Sequence, residues 1–166
     1  TTGNEEPLKN VTNLDMGAAY CPRARGATLE HQELADRVEP GLTRGAVPDG
    51  VRFLIAAIDV QGGDRPRFEV QVIGYGVHLE SWVIDRFALR QYRGQNINPA
   101  FFKEHWQAIR YDVMQKVYPL SDGSGRAMRI LAVGCDMGGA EGVTEKAYDF
   151  FRSLVRDKKP NRLCPT

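Results

Sequence analysis

The chain has 166 residues and a mass of 18.6 kDa, the length of one domain able to bury a real core. With 42% hydrophobic and 26% charged residues it is not a wholly disordered chain, and no apolar run approaches the roughly 20 residues of a membrane-spanning helix, so a soluble protein is expected. A net charge of +1 makes no case for nucleic acid on its own, and three cysteines (Cys21, Cys135, Cys164) without a Cys-x-x-Cys pair point to a reducing cytoplasm, not to a disulfide framework or a zinc knuckle.

The basic residues are 16 Arg against 6 Lys, a lean towards planar guanidinium groups that fork onto phosphate or carboxylate. Residues 1–47 mix Gly, Pro, Asn and charges and read as an irregular N-terminal arm or linker, with one short helical candidate from Leu29 to Val38. The turn Pro48-Asp49-Gly50 opens the compact part, expected over residues 48–166. Phe53-Leu54-Ile55-Ala56-Ala57-Ile58 is a continuous apolar run, as in a strand buried on both faces, and it ends in Asp59-Val60-Gln61 before the turn Gly62-Gly63-Asp64. Phe68, Val70 and Val72 then alternate with Glu69, Gln71 and Ile73, which predicts a second strand with a bulge at Gly74. Leu79 to Phe87 is expected to pair with it as a hairpin across Val77-His78.

Asn98-Pro99 looks like an N-cap with proline at the first helical position, and Phe102, Trp106, Ile109, Val113 and Val117 step by three or four, so a helix is expected over about 99–118. Ser121 to Arg126 is a polar loop. Ile130 to Cys135 is a second apolar strand that ends in an acid, Asp136, followed by Met137-Gly138-Gly139. Val143, Ala147, Phe150, Phe151 and Leu154 mark a second helix over about 143–157. The element order is β-β-β-α-β-α. A right-handed crossover through the first helix would lay the strands at 53–58 and 130–135 side by side and parallel.

Asp59 and Asp136 would then emerge together at the carboxyl ends of neighbouring strands, where open α/β sheets bind ligands. Two adjacent carboxylates repel unless a cation lies between them, and hard divalent metals prefer such oxygen ligands. The expected chemistry is phosphodiester hydrolysis at a two-metal site holding Mg²⁺ or Mn²⁺. Gln61 and Glu69 are candidates to support the metal shell, and Glu80, Asp85 and Asp149 are further acids held as second-line ligands. His31, His78 and His105 have no metal-ligand spacing, and Trp82 and Trp106 read as core anchors.

Val-Pro-Asp-Gly-Val (47–51), Ile-Asp-Val-Gln (58–61), Arg67 to Val70, Ile73 to Gly76, Glu80-Ser81-Trp82 and Ile84-Asp85 form an ordered succession. With Asp136-Met-Gly-Gly, Thr144 and Ala147 to Arg152, it resembles the GpA-like, lambda-type branch of the large terminase subunits of tailed phages over about residues 45–156. The resemblance implies a ribonuclease H-like mixed sheet and a metal-dependent endonuclease that cuts concatemeric viral DNA during packaging, with Asp59 and Asp136 as metal-binding catalytic acids. It implies double-stranded phage DNA as substrate and the host cytoplasm as location. In the full protein it implies an ATPase motor, a small terminase subunit and the portal as partners.

Two departures stand out. No Gly-x-x-x-x-Gly-Lys-Ser/Thr loop is present, so ATP is expected only in a motor domain outside this chain. The family's late carboxylate, in a segment reading approximately Asn-Glu-x-Leu-Asp, has no counterpart before Thr166, so the domain is expected to be truncated at its C-terminus, with Asp149 the nearest stand-in by residue type. Competing readings are an actin-like or sugar-kinase-type ATPase core, suggested by the Gly-rich turn after Asp136, and a non-catalytic phage assembly module. Metal binding without nucleotide separates them.

Overall fold

A computed structural model describes residues 6–16, 35–37, 39–138, 141–157 and 163–165. The chain divides into two compact units, Thr1–Gly41 and Leu42–Thr166. In the first, a short helix Glu6–Asn10 runs into a π-type turn Val11–Asp15. The expected helix from Leu29 to Val38 falls almost entirely outside the described residues.

The second unit is built on a mixed sheet. Its strands are β1 (Phe53–Gln61), β2 (Arg67–Tyr75), β3 (Ser81–Leu89), β6 (Val117–Pro119), β7 (Ala127–Cys135) and β8 (Leu163–Pro165). A separate two-stranded ribbon is formed by β4 (Gln91–Tyr92) and β5 (Gln95–Asn96). The order across the sheet is β3-β2-β1-β7-β6, with β8 also paired to β7. The first three strands are an antiparallel meander, and β1 and β7 are parallel neighbours, as the two apolar runs predict. The outer edge of β7 is shared: β6 runs antiparallel along Ala127 to Arg129 and β8 parallel along Val133 to Cys135.

Alternation along the strands sorts the side chains onto two faces. Leu54, Ala56 and Ile58 of β1, Phe68, Val70 and Val72 of β2, and Ile130 and Val133 of β7 are buried. They belong to one core with Trp106, Ile109 and Val113 and with Val143, Ala147, Phe150 and Leu154 of the helix Val143–Arg156. Trp106 joins the layers, edge-on to Phe68 at 5.1 Å between ring centroids and 6.1 Å from Phe150. Side chains of this size contribute roughly 1.5–3 kcal/mol each when fully buried. The other face of β1 and β2 carries Ala57, Asp59 and Gln61 beside Arg67, Glu69 and Gln71, and it is there that the chemistry collects.

Three expectations need correction. The helix expected over 99–118 is shorter and irregular: a 3₁₀ turn Lys103–Trp106 leads into a π-type turn Ile109–Met114, and Val117 belongs to β6, opposite Arg129. Asn98 caps the turn as expected, while two side chains further along bind the backbone groups beside it. The Asn98 carboxamide accepts from the Ala100 amide (3.2 Å), the Asn98 amide donates to His105 Nδ1 (2.9 Å), and the Pro99 carbonyl accepts from Trp106 Nε1 (3.0 Å). His105 is thus a structural histidine. The bulge of the hairpin lies in β3, where Ile84 is the extra residue between Val83 and Asp85, and not at Gly74. Gly74 is required for another reason, since a Cβ there would come within 2.9 Å of Val51 and 3.2 Å of Ile84. Finally, β4, β5, β6 and β8 add four short strands to the expected order. The second helix matches its expected span to within a residue at its end.

Candidate functional site

The parallel ladder between β1 and β7 pairs Ala57 with Gly134 and Ile58 with Cys135, and the Asp136 amide continues it by donating to the Ile58 carbonyl at 2.9 Å. Asp59 and Asp136 therefore occupy neighbouring positions where the two strands run out, with backbones about 5 Å apart at the usual strand spacing. Both are exposed and line one open groove of about 570 Å³. Its floor is small, made by Ala57 and Gly134, and a Cβ added at Gly134 would meet nothing within 4 Å.

Each acid is oriented locally. The Gln61 carboxamide, two residues along the same face of β1, donates to Asp59 Oδ2. The Gly138 amide donates to Asp136 Oδ1 at 2.8 Å, an Asx-type turn that uses one oxygen of that carboxylate. Beneath them, the Cys135 thiol is pushed up to about 12, first by burial and then by the negative charges of Asp136 and Asp59. Both carboxylates thus act on one buried point between them.

Glu69 stands directly opposite Asp59 on β2 and lines the same groove, where Arg67 pairs with it. Gln61 and Glu69 are therefore beside the two acids. The remaining second-line candidates are elsewhere. Glu80 follows the turn at the far end of the β2–β3 hairpin, where Tyr75 faces Phe53, about six residues or roughly 20 Å of strand from Asp59. Asp85 points to the opposite side of the sheet and is buried, where it accepts from Arg44 Nε (2.8 Å), Lys116 Nζ (3.0 Å) and the Tyr118 hydroxyl (3.2 Å). Burial pushes the pKa of its carboxyl up, but those three donors outweigh it and hold the group below the ordinary carboxylate range. Asp149 lies on the exposed side of the Val143–Arg156 helix, paired with Arg152 in a separate groove with Lys103 and Arg156.

Among the described residues, no three His, Cys, Asp or Glu side chains converge closely enough to cage a metal ion. What the groove presents is a pair of acids with a third carboxylate across the neighbouring strand, all hard oxygen donors. It also contains Arg86 of β3, a residue the motifs do not single out. The register of the β2–β3 hairpin, Gln71 opposite Arg86 and Glu69 opposite Ala88, places it on this face.

Among the described residues, no helix is long and apolar enough to cross a membrane. No curated protein and no solved structure matches the chain. A family model does, over residues 1–161: that of the terminase large subunit gpA, endonuclease domain. The match takes in both acidic strand ends, the hairpin and the Val143–Arg156 helix, and the chain belongs to this endonuclease domain family of terminase large subunits.

Proposed function

We propose that the domain cuts double-stranded phage DNA by metal-dependent phosphodiester hydrolysis at Asp59 and Asp136, on a ribonuclease H-like sheet. The observation that carries the reading is the continuation of the β1–β7 ladder to Asp136, which brings two otherwise distant acids to one groove. The fold assignment is supported by the antiparallel meander β3-β2-β1 followed by β7 and β8, both parallel to β1.

The donor set suits Mg²⁺ or Mn²⁺, since it consists of carboxylate and amide oxygens with neither thiolate nor imidazole within the groove lining. A bound divalent ion would acidify a water and offset the charge of the attacked phosphate. Asp59 and Asp136 would hold it, each with one oxygen already fixed by Gln61 or Gly138 and the other free. Glu69 becomes available to the same site when Arg67 turns to a phosphate. The Ala57 and Gly134 floor leaves room for a phosphodiester between the acids and the β3 rim. A second ion needs more oxygen ligands than Asp59 and Asp136 supply, so metal binding by this chain is expected to be weak and its cutting slow. ATP has no role in these steps, and the motor, small subunit and portal would act through other parts of a full terminase.

The test is a Mn²⁺ titration with plasmid nicking, comparing the chain with Asp59→Asn. The amide keeps the shape and loses most of the attraction for a divalent cation. Nicking by the parent and none by the variant, with unchanged circular dichroism, is the expected result. Wild-type nicking by Asp59→Asn would overturn the assignment.

A further inference from the structure

Arg86 stands in the groove with Asp59, Glu69 and Asp136, yet its guanidinium makes no hydrogen bond or ion pair with any described residue. Several other arginines do pair with an acid: Arg67 with Glu69, Arg110 with Asp157, Arg126 with Asp122 and Arg152 with Asp149. The register explains the difference. Arg86 lies two strands from β1 and one same-face position back from Asp59, so the two Cα atoms are about 12 Å apart at ordinary strand spacing and rise. An extended arginine covers about half of that span. A gap remains between this cation and Asp59, and Glu69, on the strand next to it, is already paired with Arg67.

We propose that Arg86 grips a DNA phosphate next to the one being cut, so that the strand crosses the sheet from the acids at β1 and β7 towards β3. This rests on the hydrolytic reading above. A guanidinium fork matches two phosphate oxygens, and here it faces carboxylates that would repel the same phosphates. The cation therefore offsets at the rim what the acids oppose at the centre. The support is preorganised. The neighbouring Asp85 is clamped on the other side of the sheet by Arg44, Lys116 and Tyr118, and Arg44 also donates to the Arg86 carbonyl. The backbone that presents Arg86 is thus fixed by side chains from elements outside β3.

The experiment uses the chain with Arg86→Ala, Arg86→Lys and, as a charge-matched control, Arg129→Ala. Arg129 is exposed near the opposite end of β7 from Asp136 and outside the groove. Binding of a labelled duplex is followed by anisotropy over a range of salt with Ca²⁺ in place of Mn²⁺, and cleavage with Mn²⁺ gives KM and kcat. Arg86→Ala should weaken binding roughly three- to tenfold and lower the slope of log K against log salt by about one, the signature of one lost phosphate contact. KM should rise by a similar factor with kcat less affected. Arg86→Lys should keep the salt slope with an intermediate affinity, and Arg129→Ala should resemble the parent. Unchanged affinity and slope in Arg86→Ala, or an equal loss in Arg129→Ala, would overturn the proposal. Normal cleavage by Asp59→Asn would instead overturn the reading on which it rests.

Discussion

Replacing Asp85 by alanine removes the acceptor shared by Arg44, Lys116 and Tyr118 and leaves three donors around an apolar hole. Charge-assisted hydrogen bonds contribute about 1.5–3 kcal/mol each, and removing one partner of a buried ion pair costs about 3–5 kcal/mol. Those figures must be discounted here, because the Arg44 side chain is 70% exposed and that of Lys116 37%, so water resolvates both cations once the carboxylate is gone. The Tyr118 hydroxyl, which is buried, is the group left without compensation. A net loss of about 2–3 kcal/mol is expected for Asp85→Ala and about 1–2 kcal/mol for Asp85→Asn, which keeps an acceptor. Urea unfolding monitored by tryptophan fluorescence measures both. The pH dependence adds a second check. The folded carboxyl lies below its ordinary range, so its contribution is fully present above the unfolded value of about 3.9 and is lost as pH falls through the folded value. The stability difference between parent and Asp85→Asn should therefore be constant at neutral pH and shrink only in acid. A loss under about 0.5 kcal/mol for Asp85→Ala, within the range of an ordinary surface change, would refute the clamp, as would a difference that persists unchanged at low pH.

Asp136→Asn should abolish nicking just as Asp59→Asn should, and the double variant should be no worse than either alone, because residues acting as one unit are non-additive; single-turnover nicking assays decide this. Gly74→Ala should lower the thermal midpoint, by an overpacking cost of about 1–3 kcal/mol against Val51 and Ile84, whereas Gly134→Ala, with open space around its Cβ, should melt within error of the parent. The Cys135 thiol, buried and pushed up to about 12, should resist alkylation at pH 8 in the native chain and react once the chain is unfolded in urea, as read by peptide mass mapping.

The legible part of the structure is the part in which one local signal has one meaning. The runs at 53–58 and 130–135 are apolar, flanked by turn residues and end in acids, and both are strands lying parallel and side by side as expected. The Val143 helix repeats its apolar positions without interruption and is found where expected. The stretch after Asn98 has the same periodicity and Asn98 does cap Ala100, yet the Asn98 amide and the Pro99 carbonyl are bound by His105 and Trp106, contacts seven residues away that no periodicity reveals. β6 and β8 are three-residue strands whose only reason to be extended is the free edge of β7, which is a tertiary fact. The second-line acids divide in the same way. Gln61 was identifiable because a period of two from Asp59 keeps it on the same face, while Asp85 falls on the other face because of the extra residue Ile84 in β3.

That bulge also decides where Arg86 points. Were Ile84 paired in regular alternation opposite Val72 instead of bulged, β3 would continue in the register of Val83 opposite Ile73, and that one-residue slip would exchange the two faces of the strand beyond it. Asp85 would then enter the groove, adding a carboxylate to three already there, and Arg86 would be driven into the apolar side of the sheet beside Phe68 and Val72. Neither arrangement is tolerable: an unpaired guanidinium in the core costs several kcal/mol, and a fourth acid would raise the repulsion against any phosphate. The bulge places the acid among the donors Arg44, Lys116 and Tyr118 and the cation over the groove, so one unpaired residue both stabilises the edge of the sheet and sets the charge pattern of the groove.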